Sequence, residues 1–128
     1  MSDEAEAGPD EAIEIGPYAL EPAAAAELIE AGATLIDVRH DYEFDAGHLQ
    51  GASNIELNEL TAHADEIPRE RPVIFYCRSG NRSSMAADAF REAGYEAYNL
   101  AGGIEAWNTG GRPFEPADGE IAVPLPPS

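Results

Sequence analysis

The most apolar stretch of the chain is Val73-Ile74-Phe75-Tyr76-Cys77, and it runs directly into Arg78-Ser79-Gly80-Asn81-Arg82. Unbroken hydrophobicity over the length of a strand is typical of a parallel strand covered on both faces, so we expect it at the centre of a sheet. From Ser83 to Ala93, apolar residues return at helical spacing, and Gly94 supplies a stop. The sequence therefore predicts a strand, a short loop and a helix in immediate succession.

Strands and helices alternate on both sides of this unit. Pro22 suits the first turn of a helix that Gly32 ends, and the β-branched run 34–39 suits a buried strand. The other predicted elements are a helical turn at 41–45, a brief strand at 53–55, a helix from Asn58 to about residue 64, a strand at 95–100 and a helix that begins within 102–107. Such alternation predicts an α/β fold, with a parallel sheet and helices on both faces.

The length of 128 residues suits one compact domain. Residues 1–12 are acidic and without periodicity, and 115–128 are rich in proline. We therefore predict a flexible N-terminal segment at 1–12, a domain at 13–114 and a C-terminal tail at 115–128. Because the chain has one cysteine, an intrachain disulfide and a cysteine-cluster metal site are excluded, and we predict neither metal nor cofactor.

The formal net charge of −18 argues against nucleic acid and anionic membrane as partners. No apolar run approaches the roughly 20 residues of a membrane span. The N-terminus, Met1-Ser2-Asp3-Glu4, is acidic where a secretory signal is basic. These features predict a cytoplasmic protein. A halophilic source would also explain the acidity.

Cys77 is the candidate nucleophile. Ligands of open α/β folds bind beyond the carboxyl ends of the strands, which is where this residue falls. Gly80 can adopt backbone angles closed to other residues, so the loop can aim successive N–H groups inward at the start of the next helix. Such a cradle favours the thiolate and can hold a transferred sulfur. The alternative, a small buried side chain without reactivity, does not account for the residues that follow.

The rest of the loop is expected to bind the substrate. Arg78 and Arg82 can each grip an anion through two parallel hydrogen bonds, although Arg82 can instead point inward to hold the loop. If it contacts the donor, Arg82→Ala loses donor affinity. Ser79, Gly80 and Asn81 are expected to contribute backbone groups.

Four segments resemble the rhodanese-like domains, and the likeness covers roughly residues 20–114. They are, in order, Leu35-Ile36-Asp37-Val38-Arg39; Glu43-Phe44-Asp45-Ala46-Gly47-His48-Leu49-Gln50-Gly51-Ala52; Cys77-Arg78-Ser79-Gly80-Asn81-Arg82; and Gly102-Gly103-Ile104-Glu105-Ala106-Trp107. Gln50 stands where the family usually has proline. Apart from the loop, we expect structural roles: Asp37 and Arg39 as a brace, His48 on a backbone group, and Trp107 in the core.

The resemblance implies a five-stranded parallel sheet and transfer of sulfane sulfur through a persulfide on Cys77. It implies thiosulfate or a persulfide as donor. The acceptors it implies are cyanide in assays, and low-molecular-weight thiols or thioredoxin-like proteins in cells. Since no second cysteine exists to resolve the persulfide, an external acceptor is obligatory.

Two other functions stay open at this point. A phosphatase or arsenate reductase also uses a cysteine, an anion cradle and an arginine, but its loop has one more residue between the cysteine and the arginine. A sulfur-carrier or partner-binding module would use Cys77 without thiosulfate as the physiological donor.

Overall fold

Five parallel strands form one sheet in the computed structural model, which describes residues 18–116 and 118–122. In chain order they are β1 (Ala19–Leu20), β2 (Thr34–Asp37), β3 (Ser53–Asn54), β4 (Val73–Tyr76) and β5 (Ala97–Leu100). The helices are α1 (Pro22–Glu30), α2 (Asp41–Ala46), α3 (Asn81–Glu92) and α4 (Gly103–Thr109). The strand order is β1-β5-β4-β2-β3, which confirms the predicted α/β sheet with β4 at its centre.

Helices cover both faces of the sheet, so β4 is buried along its whole length. Val73 and Phe75 pack on one face, against a cluster that includes side chains of α3: Ala86, Ala87 and Phe90. Ile74 and Tyr76 pack on the other face, against residues of α1 and α4: Ala25, Ile104 and Trp107. The three layers and the core position of Trp107 are confirmed.

The predicted helix from Asn58 to about residue 64 is wrong. Two short 3₁₀ turns, Leu57–Glu59 and Ala64–Glu66, lie there instead. The Leu57 N–H donates to the Val38 carbonyl at 3.1 Å, and Leu60 is the buried side chain of the stretch 57–64. Leu57 and Ala64 pack against the same core but are only partly buried, so the stretch makes less apolar contact than a docked helix needs. Strand β1 was not predicted, because two residues carry no periodic signal.

A buried ion pair braces the end of β2. Arg39 Nη2 lies 2.7 Å from Asp37 Oδ2, and the same nitrogen donates to the Gly47 carbonyl just after α2. Both charged side chains are fully buried. Nδ1 of His48 lies 2.8 Å from the Phe44 carbonyl. The expected brace and the expected backbone contact of His48 are confirmed, and together they fix α2 beside the sheet.

The predicted N-terminal segment 1–12 lies outside the described residues, as do 123–128 of the predicted tail. Within the described part of that tail, Glu115 forms an antiparallel bridge with His48, and the Glu120 N–H donates to the Ala46 carbonyl at 2.8 Å. None of the helices in the described ranges has both the length and the apolar character needed to cross a membrane.

Candidate active site

Cys77 lies at the carboxyl end of β4, at the base of the loop that leads to α3. Its exposed fraction is 1%. The N–H of Gly80 donates to Sγ at 3.1 Å, and the hydroxyl oxygen of Ser83 lies 3.4 Å from the same sulfur. The sulfur is thus buried, and it contacts one polar group of the loop and one of α3.

Gly80 turns the chain from the loop into α3. Its φ of 108° is in the left-handed region, which favours glycine, and its carbonyl accepts the N–H of Ser84 at 3.1 Å. The helix therefore begins at Asn81, two residues before the predicted start. The first N–H groups of a helix have no intrahelical acceptor. Those of Asn81, Arg82 and Ser83 are therefore available to bind an anion at the entrance of the loop.

Helix α4 anchors the first residues of the loop from the other side. The N–H of Ile104 donates to the Cys77 carbonyl at 2.9 Å, and the N–H of Glu105 donates to the Arg78 carbonyl at 3.1 Å. A Cβ on Gly103 would lie 2.4 Å from the Cys77 carbonyl oxygen, so only glycine permits this approach. Gly103, the first residue of α4, therefore serves the placement of the cysteine.

Arg82 turns inward and binds the carboxylate of Glu43 on α2. Nη1 donates to Oε1 at 3.0 Å and Nη2 donates to Oε2 at 3.1 Å, while the His40 N–H also donates to Oε1. Glu43 is fully buried. Desolvation acts to raise the pKa of Glu43, but the hydrogen bonds from Arg82 and His40, with the charge of Arg82, outweigh it and hold that pKa below its usual value.

Arg78 pairs with Glu105 on α4 in a more open setting. Nη2 lies 3.0 Å from Oε2, and the side chains are 35% and 42% exposed. Nε of Arg78 is buried and has no hydrogen-bond partner among the described residues. Both arginines of the loop therefore face carboxylates, one inside the fold and one at its surface.

Residues 21–109 match the family model described as the rhodanese-like domain. The chain belongs to the rhodanese-like family. Uncharacterized protein YqhL of Bacillus subtilis (strain 168) is 46% identical over 76 residues, which cover 59% of this chain and 60% of that protein. Thiosulfate sulfurtransferase GlpE of Pseudomonas aeruginosa (strain LESB58) is 33% identical over 98 residues, 76% of this chain and 86% of that protein. The match thus spans less than two thirds of the length of the Bacillus relative.

The fold of a solved relative agrees with this membership. The rhodanese-related protein from Thermoplasma volcanium is 29% identical, with a TM-score of 0.71 over 75% of this chain and 95% of that one. The resemblance seen in the sequence is therefore confirmed.

Two of the predicted site residues of this rhodanese-like domain meet at the sulfur: Cys77 itself and Gly80. Ser79 is half-buried and Asn81 is exposed, and the Asn81 carbonyl accepts the hydroxyl of Ser84 at 3.2 Å. No group of three or more His, Cys, Asp or Glu side chains within residues 18–116 and 118–122 is arranged to hold a metal ion.

Sequence reasoning missed two polar residues of the site: Ser83, which contacts the sulfur, and Asn99, which contacts Ser83 and the Gly80 carbonyl. Ser83 and Asn99 are both fully buried, and Ser83 Oγ lies 2.5 Å from Asn99 Oδ1. The sequence pattern assigns Ser83 only to the start of a helix. Asn99 carried a usable signal, since asparagine is depleted in strands and here stands inside the predicted strand 95–100.

Proposed function

We propose that this domain is a sulfurtransferase that moves sulfane sulfur from thiosulfate or a persulfide donor to an external thiol, through a persulfide on Cys77. One observation carries the proposal. In a chain of the rhodanese-like family, the sulfur of Cys77 accepts the Gly80 N–H where β4 runs into α3. A relative named as a thiosulfate sulfurtransferase supports the same chemistry.

The reaction has two steps. The Cys77 thiolate attacks the outer sulfur of thiosulfate, the bond between the two thiosulfate sulfurs breaks, and sulfite leaves with the electron pair. The enzyme then carries Cys77–S–S⁻. An acceptor thiolate attacks the terminal sulfur, and Cys77 leaves as a thiolate. The extra sulfur adds a bond of about 2 Å to the buried Sγ, which brings the reacting atom closer to the mouth of the loop.

Mass analysis of the protein after exposure to thiosulfate tests this function. We expect an increase of one sulfur atom on Cys77, its loss on addition of a small thiol, and no adduct on Cys77→Ser. Steady-state rates with thiosulfate and thiol should follow a ping-pong pattern. Convergent double-reciprocal lines, or an adduct that survives Cys77→Ser, would contradict the scheme.

A second candidate is a sulfur-carrier module for which thiosulfate is not the physiological donor. The pairing of Arg78 with Glu105 and of Arg82 with Glu43 favours it, because a dianion meets no cation without a carboxylate partner at the loop. A thioredoxin-like protein, or another protein thiol, is then the proposed acceptor. Fast sulfur transfer from a protein persulfide together with a negligible thiosulfate rate would favour this carrier.

Phosphatase chemistry is less well supported. Arg82 would have to hold the phosphoryl group, but each of its two terminal nitrogens donates a hydrogen bond to Glu43. Release of p-nitrophenol from its phosphate ester, lost in Cys77→Ala, would restore that candidate.

A further inference from the structure

Two fully buried polar side chains have no role in the scheme above: Ser83, which contacts the sulfur of Cys77, and Asn99, which contacts Ser83. Ser83 lies in the first turn of α3, and Asn99 lies on β5, where it pairs in register with Phe75 of the central strand. A hydroxyl and an amide in such a position cost free energy unless they are fully hydrogen-bonded. Their partners therefore decide what they can do for the sulfur.

The orientation of the Asn99 amide follows from its partners. Its Nδ2 donates to the Gly80 carbonyl at 3.3 Å, and a carbonyl oxygen can only accept. Oδ1 of the amide therefore faces Ser83, and since this oxygen carries no hydrogen, Ser83 is the donor in the 2.5 Å contact. The single hydroxyl hydrogen of Ser83 is thus committed to Asn99.

This commitment has opposite effects on two states of the sulfur. Ser83 Oγ lies 3.4 Å from Cys77 Sγ. While its one hydrogen is donated to Asn99, the hydroxyl can offer the sulfur only its lone pairs. Lone pairs can accept a neutral S–H, but they cannot stabilise a thiolate. To donate to a thiolate, Ser83 must release Asn99, which leaves Oδ1 buried without its partner. Asn99 and the Cys77 thiolate therefore compete for one hydrogen.

We propose that Asn99 is a positioning residue which holds the Ser83 hydrogen away from Cys77, and so favours the states in which Sγ carries no charge. This role rests on the proposed sulfur transfer. In the loaded enzyme the negative charge is on the terminal sulfur. When an acceptor thiolate attacks that sulfur, the S–S bond breaks, its electron pair goes to Sγ, and the acceptor becomes the persulfide. Sγ regains its charge in this step, so Asn99 retains sulfur on the enzyme and slows its release.

The rate of Cys77 alkylation by iodoacetamide across pH tests the competition without any sulfur donor. Asn99→Leu removes the amide acceptor at similar volume, and the Gly80 carbonyl keeps the Ser84 N–H at 3.1 Å. The freed hydroxyl can then donate to the thiolate. We expect the alkylation rate below neutral pH to rise about tenfold. A new hydrogen bond to the charged thiolate should increase the fraction of thiolate, and so the rate, by roughly this factor.

A second substitution, at Ser83, separates the proposed role of Asn99 from a structural one. In the Ser83→Ala background no hydroxyl exists to be freed, so Asn99→Leu should leave the alkylation rate unchanged there. An equal rise in both backgrounds, or no rise in either, would overturn the proposal. Ser84→Ala is the matched control, since Ser84 bonds the Asn81 carbonyl and should leave the Asn99→Leu effect intact. If Asn99→Leu does not fold, Asn99→Ala removes the same acceptor without added bulk.

The charged neighbours of the sulfur are common to all these variants. Arg82 interacts electrostatically with Cys77 and is paired with Glu43, and Arg78 is paired with Glu105. A difference between variants therefore reports on the hydroxyl. With persulfide-loaded protein, Asn99→Leu should also speed sulfur transfer to a thiol about tenfold. If no variant forms a persulfide, the proposed function fails. The comparison of alkylation rates among the Asn99 and Ser83 variants still decides the role of Asn99.

Discussion

Two arginine–carboxylate pairs flank the active loop, and they differ in burial and in geometry. Arg82 meets a fully buried Glu43 through two parallel hydrogen bonds, whereas Arg78 meets Glu105 through one contact at the surface. A bidentate pair in a buried site fixes geometry, and removing one partner strands a charge. An exposed pair contributes little and can be exchanged for another anion.

From this difference we propose separate roles for the two arginines. Arg82 ties the first turn of α3 to α2, and so holds the loop closed around Cys77. Arg78 projects from the loop toward α4, where a substrate anion can replace the carboxylate of Glu105. The following changes test this separation.

Arg82→Ala should give the largest effect, a loss of stability. The carboxylate of Glu43 stays buried with only the His40 N–H as a donor, and breaking a buried pair costs up to about 3–5 kcal/mol. Urea unfolding measures this loss. Arg78→Ala is the control, with an expected loss of at most about 1 kcal/mol. Equal losses in the two variants would remove the distinction between the pairs.

The acid dependence of stability should come from the same buried pair. Because the pKa of Glu43 is lowered in the folded state, its contribution is present above the usual value of 4.5 and is lost as pH falls through the folded value. Urea unfolding at a series of pH values should show this fall in the wild type and a flatter profile in Glu43→Gln. Glu105→Gln, the surface counterpart, is the matched control for the loss of one carboxylate.

The sequence was sufficient for the central strand, the helix after it and the position of Cys77 between them. The apolar run 73–77 has no polar face, so only a covered strand satisfies it. The prediction for 58–64 was wrong, because the helical spacing of Leu57, Leu60 and Ala64 does not reveal how deeply each side chain is buried. Leu60 is buried, whereas Leu57 and Ala64 pack against the core only partly buried.

The partners of the loop could not be predicted, because they come from distant parts of the chain. Glu43 lies 39 residues before Arg82, and Asn99 lies 16 residues after Ser83. Local pattern contains no information on such pairings. The sequence therefore left both directions open for Arg82, and it gave Ser83 no role beyond starting a helix.

Arg78→Ala should change substrate affinity with little change in stability. If Arg78 contacts the sulfonate end of thiosulfate, its loss should raise KM for thiosulfate about tenfold, the usual effect of losing a charged hydrogen bond. Steady-state kinetics with thiosulfate measure this. Arg69→Ala makes the same change in net charge, but Arg69 lies against Ala93 and Tyr95, so its KM should not move. A parallel rise in both variants would indicate only a general charge effect.

Glu105→Gln should give the smallest effect, and of opposite sign. The amide keeps the size of the side chain but no longer competes as an anion for Arg78, so KM for thiosulfate should fall about threefold, within the range of an exposed ion pair. The gain should shrink at high salt, because the screening length falls from about 10 Å at 0.1 M to about 3 Å at 1 M. It should also be smaller with an alkanethiosulfonate, which carries one negative charge fewer than thiosulfate. A KM that stays unchanged at low salt would mean that Glu105 does not hold Arg78 against the substrate, and that this pair, like the buried one, serves the loop alone.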